Sequence, residues 1–374
     1  MKIDSFARFE GVRRKVARIG FGLGLGGYFQ RRLDASQFEE SLKFSIELGN
    51  NHIDSAQNYG DGQSEEIIGS VAREMRAPLL VATKIGPADF SDGKVIPAIE
   101  NSLRRLNMES IPLLYLHWPN PTIALDTTLS QIQTAYEQGK IQGLGLSNFS
   151  IPDIKRTRDY LSGEIFRAIQ LEYNLFDRTP ELDFFPLASS LRLSVVAYSP
   201  LDQGKVLGSQ LRRRRIDKLA RSQGITAGQL ALSWLLVKSH CFLIPSTRNK
   251  GRVRENYGAL DIELSDDVFH EVEEITKPEV VRILPQDIQV ATDPSSRRDV
   301  YLDVKSAREN LAGYTPSPED VALALGRGEK VKPIRVLSQP RATPPYVLVE
   351  GRVRFWAHVI AFGFSTPIEA LVRD

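Results

Sequence analysis

The sequence is poor in cysteine and has no long apolar run. Its single cysteine, Cys241, cannot form an internal disulfide, and its apolar neighbours indicate a small buried side chain. A chain without disulfides suits a reducing compartment, so we expect a cytoplasmic protein. No stretch reaches the roughly 18 apolar residues that a membrane span needs, so no membrane partner is expected. The net charge is only +2, which argues against bulk nucleic acid as a partner.

The first 276 residues show one repeated pattern of short apolar strands and helices. The chain has 374 residues, of which 42% are hydrophobic and 25% charged, as in ordinary globular proteins. Eight strands alternating with helices over about 250 residues predict an α/β fold, the (β/α)8 TIM barrel. Ser64 and Ser150 are the expected N-caps of two helices. The expected strands lie at about 19–24, 51–55, 79–85, 112–117, 142–147, 168–173, 194–199 and 242–246.

Polar residues end several of these strands. Asp54, Lys84 and His117 end three successive strands, and Tyr59 follows Asp54 in the next loop. The carboxyl ends of the strands surround the active site of such a barrel, so these side chains should meet there. A single strand-end Lys or His is more often a structural residue. The set of three on successive strands is what indicates catalysis.

These four residue types suit the reduction of a carbonyl group. The phenol of tyrosine has a pKa of about 10, and we expect an ammonium held by a carboxylate to lower it. Tyr59, beside Lys84 and Asp54, would be the general acid for a developing alkoxide and the general base in reverse. His117 would donate a second hydrogen bond to the same oxygen. None of these side chains donates electrons, so a cofactor must supply the hydride.

A glycine-rich stretch, Gly22-x-Gly24-x-x-Gly27, has the spelling of a dinucleotide-binding fingerprint. That fingerprint requires a helix to begin within the glycines, so that the helix N-terminus meets the pyrophosphate. Here the helical pattern begins only near Ser36. We therefore interpret the stretch as a strand followed by a flexible loop.

Three segments carry a more specific signature. They are His52-Ile53-Asp54-Ser55-Ala56-x-x-Tyr59-Gly60-x-Gly62-x-Ser64-Glu65, then Gly139-Lys140-Ile141-x-x-Leu144-Gly145-Leu146-Ser147-Asn148-Phe149, and finally Ile244-Pro245-Ser246-Thr247-Arg248 followed by Arg252-Val253-x-Glu255-Asn256. In order and spacing they resemble the aldo-keto reductase family, over about residues 8–276. The resemblance implies that Asp54, Tyr59, Lys84 and His117 form a catalytic tetrad.

The same resemblance implies a cofactor site. Ser147, Asn148 and Gln170 would hold the nicotinamide carboxamide, and Tyr198 would stack on its ring. The other implied cofactor residues are Gly22, then Ser199, Pro200 and Leu201 along the pyrophosphate, Ser246, Thr247, Arg248 and Arg252 at the adenosine 2′-phosphate, and Glu255 and Asn256 near adenine. Hydroxyl and guanidinium groups are what a phosphate requires, so NADPH is favoured over NADH. No metal is expected.

The chain departs from the family pattern in places. Leu23 and Gly24 stand where the family usually has a threonine and an aromatic residue, which affects a cofactor contact and part of the substrate wall. The stretch after Gly204 is short, so a loop that often covers the cofactor is expected to be abbreviated. Arg212–Arg215 follow it, either touching the pyrophosphate or beginning a solvated helix. Trp118 either lines the substrate pocket or packs at its rim.

Residues 277–374 form a second predicted domain, of α+β type. Expected are an extended start at 280–284, helices near 303–313 and 318–325, a hairpin of 333–337 with 346–350, and a helix after Gly351. Arg352 and Arg354 stand in the first turn of that helix, where positive charge opposes the helix dipole. An anion docked between the guanidinium groups and the helix amides would explain this placement. Two solvated arginines are the alternative.

Three segments of this domain carry a second resemblance. They are Lys332-Pro333-Ile334-Arg335-Val336, Tyr346-x-Leu348-Val349-x-Gly351-x-x-Arg354-x-x-Ala357 and Ile368-Glu369-Ala370-Leu371-Val372. They resemble the ParB/sulfiredoxin-like fold over about residues 279–374, whose members contact a nucleotide or phosphate through the Gly-x-x-Arg segment. The sulfiredoxin cysteine is missing, and no helix-turn-helix follows. Sequence-specific binding of nucleic acid is therefore not expected.

Two functions remain open from these observations. The first is an NADPH-dependent aldo-keto reductase that reduces a small aldehyde or ketone to an alcohol. The alternative is a nicotinamide-sensing regulatory protein, whose barrel is coupled to a second domain that binds a nucleotide or phosphate. Multiple-turnover oxidation of NADPH with aldehydes would favour the enzyme, and tight NADPH binding without turnover would favour the sensor. The complete tetrad disfavours a third interpretation, a nucleotide-recognising scaffold with an idle barrel.

Overall fold

A computed structural model describes most of the chain. The described residues are 1–24, 35–120, 123–202, 204, 211–278, 280–290, 301–311, 316–329, 331–339 and 341–373. They divide into two compact units, Met1–Thr276 and Lys277–Asp374. Gly27 and residues 205–210 of the short loop, both interpreted above, lie outside the described residues. Within these ranges no helix is long and apolar enough to cross a membrane.

The first unit contains the predicted barrel. A hairpin of β1 (Phe6–Arg8) and β2 (Lys15–Ala17) precedes it. The barrel strands are β3 (Phe21–Gly22), β4 (His52–Asp54), β5 (Leu80–Ile85), β6 (Leu113–Leu116), β7 (Leu144–Ser147), β8 (Phe166–Glu172), β9 (Ser194–Tyr198) and β10 (Phe242–Leu243). They pair in parallel in chain order, and bridges from Ile19 to Leu243 and from Gly22 to Ser246 close the ring.

Ten α-helices of the described residues belong to this unit. They are α1 (Ala35–Glu47), α2 (Gln63–Met75), α3 (Val95–Leu106), α4 (Leu125–Glu137), α5 (Ile151–Tyr160), α6 (Phe184–Ser190), α7 (Leu211–Ser222), α8 (Ala227–Lys238), α9 (Lys250–Gly258) and α10 (Asp266–Thr276). Every residue of β5 and β6 is buried, which explains why β6 is an apolar run and β5 begins as one before Thr83 and Lys84. Buried Cys241 agrees with the sequence prediction.

The amino-terminal end of the barrel is filled by side chains. Phe9, between β1 and β2, is fully buried, and its ring centroid lies 4.9 Å from that of Phe242 on β10. Leu80, Leu113 and Val196 belong to the same buried cluster. Because this end is closed by packing, the polar strand ends at the other side are where a site can form.

One helix cap was predicted correctly and the other wrongly. Ser150 caps α5 in a capping box, with Asp153 N donating to Ser150 Oγ at 3.3 Å. Ser64 does not cap α2, which begins after Gly62 with a left-handed φ of 95°. Ser64 lies in the first turn instead, where its hydroxyl accepts from Ser55 Oγ at 2.7 Å. The left-handed turn before α2 starts the helix earlier than the serine pattern indicated.

The second unit is a five-stranded mixed sheet with helices. Its strands are β11 (Val280–Ile283), β12 (Ile288–Gln289), β13 (Ile334–Ser338), β14 (Tyr346–Glu350) and β15 (Ile368–Arg373), and its helices are α11 (Val304–Arg308), α12 (Pro318–Gly326) and α13 (Arg352–Phe362). The sheet order is β11-β15-β13-β14-β12, and it includes the predicted antiparallel hairpin of β13 and β14. Trp356 of α13 is buried in its core, where Nε1 donates to Tyr301 O at 2.8 Å.

Candidate active site

The structure brings Asp54, Lys84 and His117 together at the carboxyl end of the barrel. The strands β4, β5 and β6, which carry or precede them, are parallel neighbours in the sheet. The pairing continues beyond the strands, because Gln57 N donates to Lys84 O at 3.1 Å and His117 N donates to Ile85 O at 3.0 Å. The positions of these side chains are therefore fixed by the backbone of the barrel itself.

Lys84 and Asp54 form a buried ion pair, with side chains only 1% and 4% exposed. Lys84 Nζ donates to Asp54 Oδ1 and to Ser55 O, the latter at 2.7 Å. Gln170 Nε2 donates to Asp54 Oδ2 at 2.7 Å, so both carboxylate oxygens are occupied. Burial lowers the pKa of the Lys84 ammonium, and the Asp54 carboxylate opposes that shift. A buried pair of this kind is held in one geometry, since either partner alone would be an unpaired buried charge.

The ring of Tyr59 faces this pair. Lys84 Nζ lies 5.2 Å from the centroid of the phenol ring. The loop turns sharply after Tyr59, because Gly60, Asp61 and Gly62 have left-handed φ values of 60°, 51° and 95°. This turn leads directly into α2 and ends the loop that carries the phenol.

The pKa of the Tyr59 phenol is raised, first by burial and then by the Asp54 carboxylate. The sequence predicted a lowered pKa, whereas the net shift is in the opposite direction. Asp54 compensates the charge of the ammonium, and burial disfavours the phenolate. Tyr59 is therefore held in its protonated form, which is the form that donates a proton.

His117 lies edge-on to Tyr59 and is held neutral. The two ring centroids are 5.8 Å apart with an interplanar angle of 76°, and His117 is only 5% exposed. Burial, followed by the Lys84 ammonium, holds the pKa of His117 well below its usual value. A neutral imidazole can still donate one hydrogen bond. Trp118 is partly exposed and stacks on His117, with centroids 6.4 Å apart.

Asn148 connects the strand ends that follow. Its Nδ2 donates to His117 O at 3.1 Å and to Ser147 Oγ at 3.0 Å, and its Oδ1 accepts from Tyr198 OH at 2.7 Å. Its backbone N donates to Gln170 O at 3.1 Å. Four of the residues expected around the nicotinamide thus lie in one hydrogen-bonded group that includes the backbone of His117. Gln170 also holds Asp54, a contact that the sequence did not indicate.

The turn after β9 is held by a buried ion pair. Ser199 and Asp202 both have a left-handed φ of 48°. Arg213 Nη2 donates to Asp202 Oδ2 at 2.6 Å, and the two side chains are 3% and 5% exposed. Arg213 is therefore not a solvated residue at a helix start, while Arg214 and Arg215 are exposed. Arg213 fixes the turn that contains Ser199, Pro200 and Leu201.

The expected phosphate-binding residues lie around the beginning of α9. Arg248 and Arg252 are exposed. The hydroxyl oxygen of Ser246 is buried and makes no hydrogen bond with any described residue. Asn256 is buried. Gly22 and Ser246 form a parallel bridge where β3 meets the segment after β10. The Gly22 N–H donates to Pro245 O at 3.1 Å.

Two members of this group already have protein partners. Glu255 accepts from Arg252 Nη1 at 2.7 Å and from Thr226 Oγ1 at 2.6 Å. Thr247 Oγ1 accepts from Asn249 N at 3.2 Å, at the N-cap of α9. Glu255 therefore positions Arg252, a role that the sequence did not indicate.

Tyr115 is a site residue that the sequence reasoning missed. Its ring is fully buried inside the barrel, and Lys84 Nζ lies 6.0 Å from its centroid. Gly145 leaves room for it, since a Cβ there would lie 2.2 Å from Tyr115 Cε1. Burial raises the pKa of this phenol well above its ordinary value. Its position two residues before His117 was the available signal, because alternate strand residues point to the same side.

In the second unit, the Arg354 guanidinium makes hydrogen bonds to backbone carbonyls. Neither the docked anion nor the solvated arginines considered from the sequence included these contacts. Its Nη1 donates to Pro333 O at 2.8 Å and to Lys332 O at 3.1 Å, and its Nη2 lies 3.6 Å from Glu350 Oε1. Gly351, with a φ of 96°, precedes α13 and approaches Arg354 closely. Arg354 thus ties the beginning of β13 to α13.

The sequence and the fold both match known proteins. A family model described as "Aldo/keto reductase family" matches residues 18–277. Methylglyoxal reductase YeaE of Escherichia coli (strain K12) is 32% identical over 236 residues, which are 62% of this chain and 83% of that protein. Aldo-keto reductase YhdN of Bacillus subtilis (strain 168) is 32% identical over 206 residues, which are 52% and 61% of the two chains.

Solved structures match over a larger share of the chain. An aldo/keto reductase from Klebsiella pneumoniae, in complex with NADP and acetate, is 29% identical with a TM-score of 0.68, over 74% of this chain and 97% of that one. The thermostable aldo-keto reductase Tm1743 is 31% identical with a TM-score of 0.65, over 72% and 99%. The fold and the strand-end cluster thus define a (β/α)8 enzyme scaffold. The chain belongs to the aldo/keto reductase family, whose model ends where the second unit begins.

Proposed function

We propose that the barrel reduces the carbonyl group of a small aldehyde or ketone with NADPH, and that Tyr59 donates the proton. The observation that carries the proposal is the phenol of Tyr59 beside the buried Lys84–Asp54 pair, with the His117 ring edge-on to it. Membership of the aldo/keto reductase family supports this chemistry. The Klebsiella pneumoniae relatives were solved with NADP and with NADPH.

The residues present fit NADPH. When bound, NADPH supplies a hydride to the carbonyl carbon. The buried hydroxyl of Ser246, which has no partner among the described residues, can donate to a phosphate oxygen. Exposed Arg248 and Arg252 offer guanidinium groups to the 2′-phosphate. The residues proposed for the nicotinamide and the pyrophosphate are Gly22, Ser147, Asn148, Gln170, Tyr198, Ser199, Pro200 and Leu201, with Thr247, Glu255 and Asn256 toward the adenosine.

Each residue of the cluster has one role in this proposal. Tyr59 gives its phenolic proton to the alkoxide oxygen as that oxygen gains negative charge. The Lys84 ammonium stabilises the phenolate that remains, because an opposite charge nearby favours the ionised form. Asp54 holds the ammonium in place. His117 donates a hydrogen bond that orients the carbonyl oxygen.

Replacing Tyr59→Phe tests the proposal, because it removes only the phenolic hydroxyl. We expect kcat for aldehyde reduction to fall by about 10²–10⁴-fold, while the Kd of NADPH, measured by fluorescence titration, stays unchanged. Tyr160→Phe, at an exposed position on α5, is the matched control and should keep wild-type kcat. Undiminished turnover in Tyr59→Phe would refute the mechanism. Tight NADPH binding by the wild type without turnover on a panel of aldehydes would point to the sensor instead.

We also propose that the second unit has the ParB/sulfiredoxin-like fold. The antiparallel β13–β14 pair, the left-handed Gly351 before α13 and the buried side of that helix support it. The first turn of α13 has no acidic residue, which favours an anion near Arg352 over a cation. Titration of the full chain with a nucleotide, compared with Arg352→Ala, tests that role. Equal binding by the two proteins would exclude Arg352 as a ligand.

A further inference from the structure

We propose that Glu65 is a positioning residue for Tyr59, because it joins the end of the Tyr59 loop to the strand that carries Lys84. This inference rests on the proposed role of Tyr59 as proton donor. Glu65 lies in the first turn of α2, three residues after Gly62, and its side chain is fully buried. A buried carboxylate needs hydrogen-bond partners. The partners of its two oxygens show which elements Glu65 holds together.

One carboxylate oxygen is bound to β5. Thr83 Oγ1 donates to Glu65 Oε1 at 2.6 Å, and Thr83 is also fully buried. Thr83 precedes Lys84 in the strand, and successive residues of a strand point to opposite faces. Lys84 points into the barrel, where it meets Asp54, so Thr83 points outward to the helices. The strand that presents the ammonium is therefore tied on its outer face to the helix that follows the Tyr59 loop.

The other carboxylate oxygen is bound to α3. Arg105 Nε donates to Glu65 Oε2 at 2.6 Å. The Arg105 side chain lies against Gly62, where an added Cβ would be 2.5 Å from Arg105 Cδ and 2.7 Å from Nε. Gly62 is the last residue before α2 and has a left-handed φ of 95°. Glycine meets both demands at this position, the left-handed turn and the close arginine. The Arg105–Glu65 pair thus holds the end of the turn from outside.

The two ends of the Tyr59 loop are also joined directly. Ser55, just after β4, donates through Oγ to Ser64 Oγ at 2.7 Å, and Ser64 Oγ donates to Ala56 O at 3.2 Å. Both serines are fully buried. These hydroxyl groups close the base of the loop, and Glu65 fixes that base relative to β5.

The distance between the phenol and the ammonium depends on this link. Lys84 Nζ lies 5.2 Å from the centroid of the Tyr59 ring. The phenol belongs to the loop before α2 and the ammonium belongs to β5, so the bond between Glu65 and Thr83 joins the two elements directly. Without it, the first turn of α2 can shift against β5 and move the phenol. A reacting group misplaced by about 1 Å can lower a rate by about 100-fold.

Replacing Glu65→Gln in the full chain tests the inference. Glutamine keeps the shape, but its amide nitrogen cannot accept a hydrogen bond, so Thr83 or Arg105 loses its acceptor. We expect kcat to fall by about tenfold or more, with an unchanged Kd for NADPH, because none of the proposed cofactor residues lies on α2 or β5. Glu66→Gln is the matched control, since it makes the same change one residue later at an exposed position, and it should keep wild-type kcat. Wild-type kcat in Glu65→Gln would overturn the inference.

A Tyr59→Phe background separates an effect through the phenol from a general one. If Glu65 acts by placing the phenol, Glu65→Gln should cause no further loss of kcat in Tyr59→Phe, because the group that it positions is already gone. A further loss as large as in the wild-type background would mean that Glu65 supports another part of the site, which contradicts the inference. The role of Tyr59 itself is judged separately, by Tyr59→Phe alone.

Thr83→Val covers the case in which Glu65→Gln folds poorly. Valine has nearly the shape of threonine without the hydroxyl, so this variant removes the link to β5 and keeps the Arg105–Glu65 pair. We expect kcat, measured well below the melting temperature Tm, to fall here too, by a smaller factor than in Glu65→Gln. A lowered Tm with wild-type kcat would assign the contact to stability alone and overturn the inference. Failure of both variants to fold would do the same.

Discussion

Strand β4 carries two buried polar side chains, one toward each end of the barrel. Asp54 has both carboxylate oxygens occupied, by Lys84 and Gln170. His52, two residues earlier, is also fully buried, but neither of its ring nitrogens makes a hydrogen bond of ordinary geometry with a described residue. Its ring lies 5.8 Å from that of Phe242 instead. The same strand thus places a fully paired acid at the site and a buried imidazole between the rings of Phe9 and Phe242.

Burial has different consequences for the titratable side chains at the two ends. At the carboxyl end, buried charges are paired, and the geometry of the pair governs a reacting group. At the amino-terminal end, burial disfavours a charge and lowers the pKa of His52 to about 4, a shift that the backbone of Ala17 opposes and the Lys84 ammonium increases. Perturbing the first end should therefore change catalysis and stability together, and perturbing the second should change stability alone.

The largest effect is expected from Lys84→Met, which removes one charge of the pair and keeps a side chain of similar length. Asp54 is left as an unpaired buried carboxylate, which costs about 3–5 kcal/mol of unfolding free energy. Without an ammonium beside Tyr59 the phenolate is no longer stabilised, so kcat should fall by about 10²–10⁴-fold. Denaturant unfolding and steady-state NADPH oxidation measure the two losses.

Lys43→Met is the control for that change. Lys43 pairs with Glu39 at 2.8 Å and with Glu74 at 2.7 Å, but its side chain is at the surface. Ion pairs at the surface are screened by water and contribute little, so this variant should keep both its stability and its kcat. If Lys84→Met proved as stable and active as Lys43→Met, the buried pair would have no part in the reaction.

A smaller effect, on stability only, is expected at His52. Its pKa of about 4 in the folded protein is below the ordinary 6.5, so the unfolded chain binds more protons between these values. The free energy of unfolding therefore rises with pH in this range. The part of it that depends on neutral His52 is lost as pH falls from 6.5 toward 4. The His52 contribution is about 3 kcal/mol. His52→Leu should flatten this part of the pH dependence, measured by denaturant unfolding, and leave kcat at pH 7 unchanged.

The control for His52 is His240→Leu, which changes an exposed histidine. This variant makes the same substitution at the surface, so a change that it shares with His52→Leu does not come from the buried imidazole. His117 remains in all three proteins and contributes equally to each. A His52→Leu protein with the full wild-type loss of stability below pH 6.5 would show that another group causes the acid sensitivity.

The strand-end cluster was predictable because it depends on local sequence and one topological rule. Asp54, Lys84 and His117 each follow an apolar strand, and parallel strands of a barrel end on the same side. The predicted family and barrel are confirmed by the family match to residues 18–277 and by the strand order. The direction of the Tyr59 pKa was not predictable, because it depends on how completely Asp54 compensates Lys84 and on burial, neither of which is visible in the sequence.

Contacts between distant segments were also beyond the sequence. Arg213 looked like one of four similar arginines, and only the fold brings it to Asp202 and removes it from water. Gly24 looked like a missing aromatic residue until the Tyr59 ring was found against it. In the second unit the β13–β14 hairpin could be predicted, because its two strands are neighbours in the sequence. The central place of β15 between β11 and β13 was not, since those pairings join the last strand to much earlier ones.

The smallest effect is expected at the exposed side of the carboxyl end, at Arg252. Its side chain is 56% exposed and pairs with Glu255 Oε2 at 2.7 Å. If it receives the 2′-phosphate, Arg252→Ala removes one charged hydrogen bond, and KM for NADPH should rise by about tenfold with kcat unchanged. KM for NADH should not change, because NADH lacks that phosphate. Added salt should reduce the difference between wild type and variant, since exposed charges are screened.

Arg254→Ala is the control for Arg252→Ala, because both arginines are on α9 and exposed, and Arg254 stacks on Phe44 at 5.1 Å instead. It should leave KM for both cofactors at the wild-type value. Equal increases in KM for NADPH and NADH in Arg252→Ala would mean that the side chain supports α9 and does not read the phosphate. A selective effect on NADPH would show two roles for charge at the carboxyl end of the barrel. The exposed Arg252 would select the cofactor, and the buried Lys84–Asp54 pair would support the reaction.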